Sequence, residues 1–327
     1  MSKKVMIIGG TGNISVSIVN LLLEQGSRVY CFNRGQRGET LPDEVTQIHG
    51  DRNDREAFEK TMQQYSFDAV IDMIGFTKED ALSTIRAFPD VGHMIFCSTV
   101  CVVGIEPEYL PMDETHILRP ITDYGRGKGA AEAVFLTEYY SRKYPVTIIR
   151  PSTTYGRQPS MVRQLSWDSS WIDRNRKGKP IVICGEGMEL HQFLHVDDAA
   201  TGFVGAIGRE CCLGEIYSLV RDDCFTWKQF HETAMKVIGK DVELVSAPFE
   251  ILQRFDIPGF ELYKEIFLHH CYYSNAKISR DIPLFKPVIS LEEGLEKTFA
   301  YMDSIGSIPN SDESRWEDDI VSLMKGI

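Results

Sequence analysis

Tyr124 and Lys128 stand four residues apart in the run Tyr-Gly-Arg-Gly-Lys. On a helix, that spacing puts both side chains on one face, a single turn apart. An ammonium beside a phenol stabilises the phenolate and draws a tyrosine down from its ordinary value of about 10. A tyrosine so placed can exchange a proton with an alcohol or a carbonyl near neutral pH. Upstream, the apolar run ending Phe96-Cys97-Ser98-Thr99 carries two hydroxyls. At the carboxyl end of a strand, Ser98 or Thr99 would hydrogen-bond the substrate oxygen whose proton Tyr124 moves.

A second constellation opens the chain. Val5–Ile8 runs directly into Gly9-Gly10-Thr11-Gly12-Asn13-Ile14-Ser15 and then into helical spacing. Gly9 permits a tight turn, and Gly12 lets the backbone approach a pyrophosphate. The free N–H groups and dipole of the helix N-terminus, opened by Asn13 and Ile14, favour that anion. The third small position is filled by Ser15 rather than Gly or Ala. Where a carboxylate would take a free ribose 2′-hydroxyl, the second apolar run ends in Asn33, then Arg34, with Arg37 close by. A guanidinium without a carboxylate suits a 2′-phosphate, so NADP(H) is favoured over NAD(H), which remains possible. Asp51, with Arg52 beside it after the third run, is placed to accept from an adenine amino group; alternatively it caps the next helix.

The elements that must position these groups follow from the apolar pattern. Short β-branched runs at Val5–Ile8, Arg28–Phe32, Val45–His49, Ala69–Ile74, His93–Cys97 and Val146–Ile149 lack alternation, as strands buried on both faces do. Helical spacing fills the gaps at Ile14–Gln25, Asp54–Tyr65, Lys78–Phe88 and Thr122–Lys143. The expected fold is α/β: a doubly wound Rossmann sheet over residues 1–155, with part of 193–222 returning to it. Residues 156–327 are expected to form mainly a smaller, discontinuous α/β lobe for substrate. Trp167 and Trp171, four apart, read as helix packing in that lobe. Arg174, Arg176, Lys177 and Lys179 read as a solvated loop.

The 327 residues include 35 Lys+Arg and 47 Asp+Glu, a formal net charge of -12. Such a balance disfavours a nucleic-acid partner, which requires a basic face. Eight scattered cysteines without a CxxC pair read as reduced thiols, and nothing has the spacing of a metal site. No apolar run is long enough for a membrane span or a signal-peptide core. The expectation is a cytoplasmic protein acting on a small molecule, without metal or membrane.

Taken together, GGTGNIS (9–15), GDRND (50–54), FCSTVCVVG (96–104), YGRGK (124–128), RPSTTYG (150–156), FLHVDDAA (193–200) and ISLEEGLEKT (289–298) resemble the extended short-chain dehydrogenase/reductase family. This family includes NAD-dependent sugar epimerases and dehydratases. The resemblance spans nearly the whole chain. Counting back from Gly104, it places the catalytic hydroxyl on Thr99, with Ser98 as the neighbouring alternative, beside Tyr124 and Lys128. It puts Pro151 and Ser152 next to the nicotinamide, and Ile74 and Gly75 against the cofactor. It also implies a homodimer through the Tyr124-bearing helix and the one before it. Three departures bear on the substrate. Val100 and Cys101 replace the Asp-Glu pair of sugar 4,6-dehydratases, disfavouring that reaction. His191 stands where nucleotide-sugar enzymes place a pyrophosphate-binding arginine. Phe76 makes the pocket more apolar.

The reading is an NAD(P)-dependent oxidoreductase or epimerase, moving a hydride at a secondary alcohol or ketone of a sugar-like small molecule. Asn33-Arg34-Gly35 with Gly50-Asp51-Arg52 also looks like a branch of atypical members related to chloroplast RNA-binding proteins. The alternative is therefore a non-catalytic, nucleotide-binding regulatory or RNA-associated protein on the same fold.

Overall fold

The structure is a computed structural model and describes residues 2–36 and 41–326. It divides into two compact units, the first made of Met1–Thr154, Val196–Val220 and Tyr273–Val288 and the second of the remainder. Residues 273–288, which the sequence reading left in the substrate lobe, thus belong to the first unit.

Seven parallel strands form the sheet of the first unit: β1 (Lys4–Ile8), β2 (Arg28–Asn33), β3 (Thr46–His49), β4 (Ala69–Asp72), β5 (Met94–Cys97), β6 (Val146–Pro151) and β7 (Ile216–Leu219). Their order is β7-β6-β5-β4-β1-β2-β3. The chain reverses direction across the sheet between β1 and β4, the crevice where such sheets take ligands. Strands β4, β5 and β6 are buried along their whole length, which explains their unbroken apolar runs. β3 lies at the edge and is largely exposed. β7 is a seventh member, beyond the six strands that the first 150 residues supply.

The helices are α1 (Asn13–Glu24), α2 (Arg55–Met62), α3 (Lys78–Ala87), α4 (Asp123–Arg142) and α5 (Val196–Ala206). α2, α3 and α4 each start where a side chain takes orphan N–H groups. Thr77 and Asp80 form a reciprocal capping box on α3. Thr122 accepts from the Gly125 N–H at 2.9 Å to start α4. α1 lies against α5, tied by Ser17 Oγ donating to Asp197 at 2.6 Å. One core cluster joins Met6, Ile8, Phe32, Phe58, Val70, Met94, Phe96, Phe135 and Ile148. Arg150 on β6 donates to both oxygens of Glu132 on α4 at 2.9 and 2.6 Å, with both side chains almost wholly buried. That pair pins the middle of α4 to the sheet.

In the second unit, Ile181–Cys184 pairs in parallel with Leu244–Ala247, and Leu190–His191 pairs antiparallel with Phe225–Thr226. Trp171, Phe193, Trp227 and Phe230 form an aromatic core. Trp171 is buried there, whereas Trp167 precedes the helix Ser170–Lys177 and is 46% exposed, so the two do not pack as one helical pair. Arg174, expected in a solvated loop, is buried on that helix and paired with Asp318 at 2.7 Å. Among the described residues, no helix is long and apolar enough to cross a membrane, and no cluster of three or more metal-ligating side chains occurs. Among the described residues the cysteines form no disulfide.

Candidate active site

A cavity of about 670 Å³ opens at the carboxyl ends of β1, β2, β3 and β4. Its floor is the glycine turn. Gly9 has φ +89°, and a Cβ there would stand 2.6 Å from the Ile74 side chain. A Cβ on Gly10 would lie 2.3 Å from the Cys31 sulfur, so this second glycine lets the turn close onto β2. Among the described residues no side chain caps α1, and its first turn carries no acid. Gly9, Thr11 and Gly12 line the cavity at this end, which has the geometry and charge preference of an anion site. Asn13 and Ile14 open α1 without being part of that lining; Asn13 Nδ2 reaches the Thr154 carbonyl at 3.5 Å.

The other walls contain most of the remaining expected residues. Asn33 is 8% exposed; its Oδ1 accepts from Gly35 N–H at 2.9 Å, and its Nδ2 has no partner among the described residues. Arg34 is exposed on the lining, while Arg37 lies outside the described residues. Asp54, not Asp51, caps α2 by accepting from the Ala57 N–H at 3.2 Å. Asp51 therefore stays at the cavity, exposed and accepting only a local bond from the Asn53 N–H at 2.9 Å.

Arg52 departs from expectation. Although Arg52 lines the cavity, its guanidinium is engaged in the protein, donating to both Asp72 oxygens, to the Asp80 carbonyl and to Thr84 Oγ1. A charge that deep must be paired, and Asp72, wholly buried, supplies the partner. Asp72 also accepts from the Ile74 N–H, and Asp80 accepts from the Phe76 and Thr77 N–H groups. The network thus shapes the loop after β4. Gly75 contributes to packing rather than lining: a Cβ there would meet Asp72 at 2.9 Å and Phe96 at 3.0 Å.

The hydroxyl, phenol and ammonium meet at the carboxyl end of β5. Thr99 Oγ1 accepts from the Cys101 N–H at 3.2 Å and is 6% exposed. Ser98 is more deeply buried, and its Oγ has no partner among the described residues. Lys128 Nζ donates to the Cys97 carbonyl at 2.5 Å and lies 5.9 Å from the centre of the Tyr124 ring. Phe76 covers both: its ring is 6.2 Å from that of Tyr124 and 4.7 Å from the Lys128 nitrogen. Two glycines within Tyr124–Lys128 make this approach possible. A Cβ on Gly125 would stand 2.7 Å from the Cys101 carbonyl oxygen, and one on Gly127 would stand 2.4 Å from that of Phe76. The sequence reading gave these glycines no role; their pattern, small residues between the two chemical ones, was the available signal.

The electrostatics reverse one expectation. Tyr124 leaves 47% of its surface exposed, yet protein crowds its hydroxyl. That burial pushes the phenol well above its ordinary range, the Cys97 and Cys101 thiols add to the effect, and the Thr99 hydroxyl pulls the other way. Burial, not Lys128, dominates at the phenol: the lysine nitrogen lies 5.9 Å from the ring centre and hydrogen-bonds the Cys97 carbonyl. Burial lowers Lys128 itself, and it raises the Cys97 thiol to about 11. Burial thus favours the protonated form of the Tyr124 phenol. Pro151 and Ser152 stand at the end of β6, where the Ser152 N–H donates to the Leu219 carbonyl at 3.3 Å.

His191 does not fit a pyrophosphate contact. It is 3% exposed in the second unit, stacked on Trp227 at 4.7 Å and edged by Phe193 and Phe267. Burial lowers it to about 3, so it is neutral. An uncharged imidazole inside an aromatic cage serves as a core residue.

Fold and cavity together define a dinucleotide-binding Rossmann protein with a hydroxyl/Tyr/Lys group at one strand end. The family model described as "NAD dependent epimerase/dehydratase family" matches residues 5–218, and the chain belongs to that family. It is 25% identical over 247 residues to the 2′-dehydrokanamycin reductase of Streptomyces kanamyceticus, covering 76% of this chain and 70% of the relative. It is also 25% identical over 313 residues to the chloroplast stem-loop binding protein of 41 kDa b of Arabidopsis thaliana, covering 91% and 78%. Among solved structures, the UDP-glucuronic acid 4-epimerase of Bacillus cereus, in complex with UDP-glucuronic acid and NAD, shares the fold. Its TM-score is 0.72 at 19% identity, covering 92% of this chain and 99% of that one.

Proposed function

We propose that the chain is an NADP(H)-preferring reductase or epimerase that acts at a secondary alcohol or ketone of a sugar-like small molecule. The observation that carries the reading is the meeting of Thr99, Tyr124 and Lys128 at the end of β5, in the same unit as the glycine-turn cavity. The polar groups around that cavity fit a dinucleotide: a helix N-terminus with no side-chain cap for the pyrophosphate, Asp51 to accept from the adenine amino group, and the Asn33 amide nitrogen, unpaired among the described residues, beside Arg34 for a ribose phosphate. When bound, the nicotinamide supplies or accepts the hydride.

In this reading Thr99 holds the substrate oxygen and Tyr124 gives it a proton. A phenol held protonated suits reduction of a ketone, for which a proton must be ready to leave toward the developing alkoxide. Lys128 anchors the strand end through Cys97 and takes the nicotinamide ribose hydroxyls. Pro151 and Ser152 flank the nicotinamide, and Phe76 offers an apolar wall to the substrate. With His191 sequestered in an aromatic core, that position gives no charged grip on a nucleotide-sugar pyrophosphate, which favours a substrate outside that class.

The test is to denature freshly purified protein, identify any released nucleotide by mass spectrometry, and titrate the emptied protein with NADPH and NADH. Stronger binding of NADPH with no retained nucleotide supports a reductase. Retained NAD⁺ would instead point to an epimerase that recycles its cofactor in place. Failure to bind either would favour a non-catalytic protein, a role for which the stem-loop binding relative gives precedent.

A further inference from the structure

We infer that Asn33, Arg34 and His49 together form an anion corner of the cavity that accepts the 2′-phosphate of an adenosine ribose, with His49 supplied by the edge strand β3. The inference rests on the dinucleotide reading above and adds to it a residue and a wall that the glycine turn and the end of β2 do not contain.

Three observations converge on the corner. First, position: Asn33 and His49 are register partners on the parallel strands β2 and β3, so they stand side by side at the carboxyl ends. Gln47 and His49, two apart, share one face of β3, and both line the cavity. Both side chains are exposed, and so open to a ligand. Second, donor chemistry: the Asn33 carbonyl oxygen is taken by the Gly35 N–H, which fixes the amide and leaves a buried Nδ2 donor without a partner among the described residues. A buried donor left unmade is costly, so a ligand acceptor there is favoured. Third, charge: the described lining residues of this corner are Asn33, Arg34, Gly35, Gln36, Gln47 and His49, none of them acidic. The acidic residues of the described lining are Asp51, exposed two residues beyond His49, and Asp80, which is held by Arg55 and by the N–H groups of Phe76 and Thr77.

Gly35 completes the shape. It has φ +67°, and a Cβ there would lie 3.1 Å from His49 Nδ1, so the β2 turn folds closely over the imidazole. A side chain at 35 would displace the ring from the corner. An amide donor, a guanidinium and an imidazole around one open space match the three acceptor oxygens of a phosphate monoester. A free 2′-hydroxyl would leave most of these donors unmatched.

The experiment measures the dissociation constants of 2′,5′-ADP, 5′-ADP and inorganic phosphate by calorimetry, for the whole protein and for the variants His49→Ala and His49→Asp. The wild type should bind 2′,5′-ADP at least about tenfold more tightly than 5′-ADP, and inorganic phosphate weakly, as expected when charge-assisted bonds act on a tethered anion. His49→Ala should cut that ratio by roughly fivefold, the size of one such hydrogen bond, and His49→Asp should abolish it. His49 is on an exposed strand edge, so circular dichroism should show both variants folded. If the wild type discriminates and neither variant changes the ratio, His49 has no part in the corner and the inference is overturned while the NADP(H) reading stands. If the wild type does not discriminate, the NADP(H) preference itself falls, and the corner with it.

Discussion

Arg52 Nη1 lies 2.8 and 2.9 Å from the two carboxylate oxygens of Asp72, and neither side chain exposes more than 5% of its surface. The pair joins the loop after β3 to the end of β4 directly beneath the cavity. Removing one partner leaves a buried, uncompensated charge, a loss of about 3–5 kcal/mol. Asp72→Ala should therefore destabilise the fold by that order in urea unfolding. The double variant Arg52→Met, Asp72→Leu should recover most of it, because no unpaired charge remains. Equal destabilisation in the single and double variants would show that packing rather than charge pairing holds this junction.

Tyr124→Phe should leave dinucleotide affinity unchanged and reduce turnover at least about a thousandfold, consistent with loss of a general acid plus its hydrogen bond. The raised phenol carries its own check. Because the protonated form is favoured, Tyr124 should remain a phenol well past the alkaline range in which ordinary tyrosines ionise. The difference in tyrosinate absorbance between wild type and Tyr124→Phe in the cofactor-free protein should be flat from pH 7 to about pH 10, the ordinary phenol value. A midpoint near pH 8 would mean that Lys128 governs the phenol after all.

Gly127→Ala tests the close contact between α4 and the loop after β4. The new Cβ would stand 2.4 Å from the Phe76 carbonyl oxygen, a backbone atom that cannot swing aside. Overpacking of this kind costs about 1–3 kcal/mol. Helix propensity alone predicts a gain of up to about 1 kcal/mol for the same change, so the sign of the measured difference decides between the two. A stabilised variant would mean that α4 does not approach Phe76 this closely.

Three buried histidines should make the protein acid-labile. Burial lowers His191 to about 3 and His93 to about 4, and drives His231 well below its ordinary value. Each binds its proton less readily in the fold than in the unfolded chain. Their contribution is therefore intact above pH ~6.5 and is lost as the pH falls toward the folded values. The slope is about 1.4 kcal/mol per pH unit for each histidine. Urea stability measured at pH 7, 6 and 5 should fall accordingly, and His191→Phe should flatten the slope by one histidine's share. A stability that is level over this range would show that these rings are protonated, or accessible, in the fold.

Much of this molecule was decided locally and was therefore legible in the chain. Unbroken apolar runs bounded by glycine and polar residues marked the strands of the sheet, because a strand covered on both faces has no polar side to show. The Gly9–Gly12 turn and the Tyr124/Lys128 spacing were readable for the same reason, since each is set by neighbours in sequence. What the sequence could not determine depends on residues distant in the chain. Arg52 reads as a cofactor contact until Asp72, Asp80 and Thr84 are brought around its guanidinium. His191 looks like a ligand until Trp227 and Phe267 enclose it. The phenol of Tyr124 looks lowered by Lys128 until burial of its hydroxyl pushes it the other way. In each case the local pattern named a group able to do chemistry, and the tertiary structure, through burial and the nearest partner, decided which chemistry remained open to it.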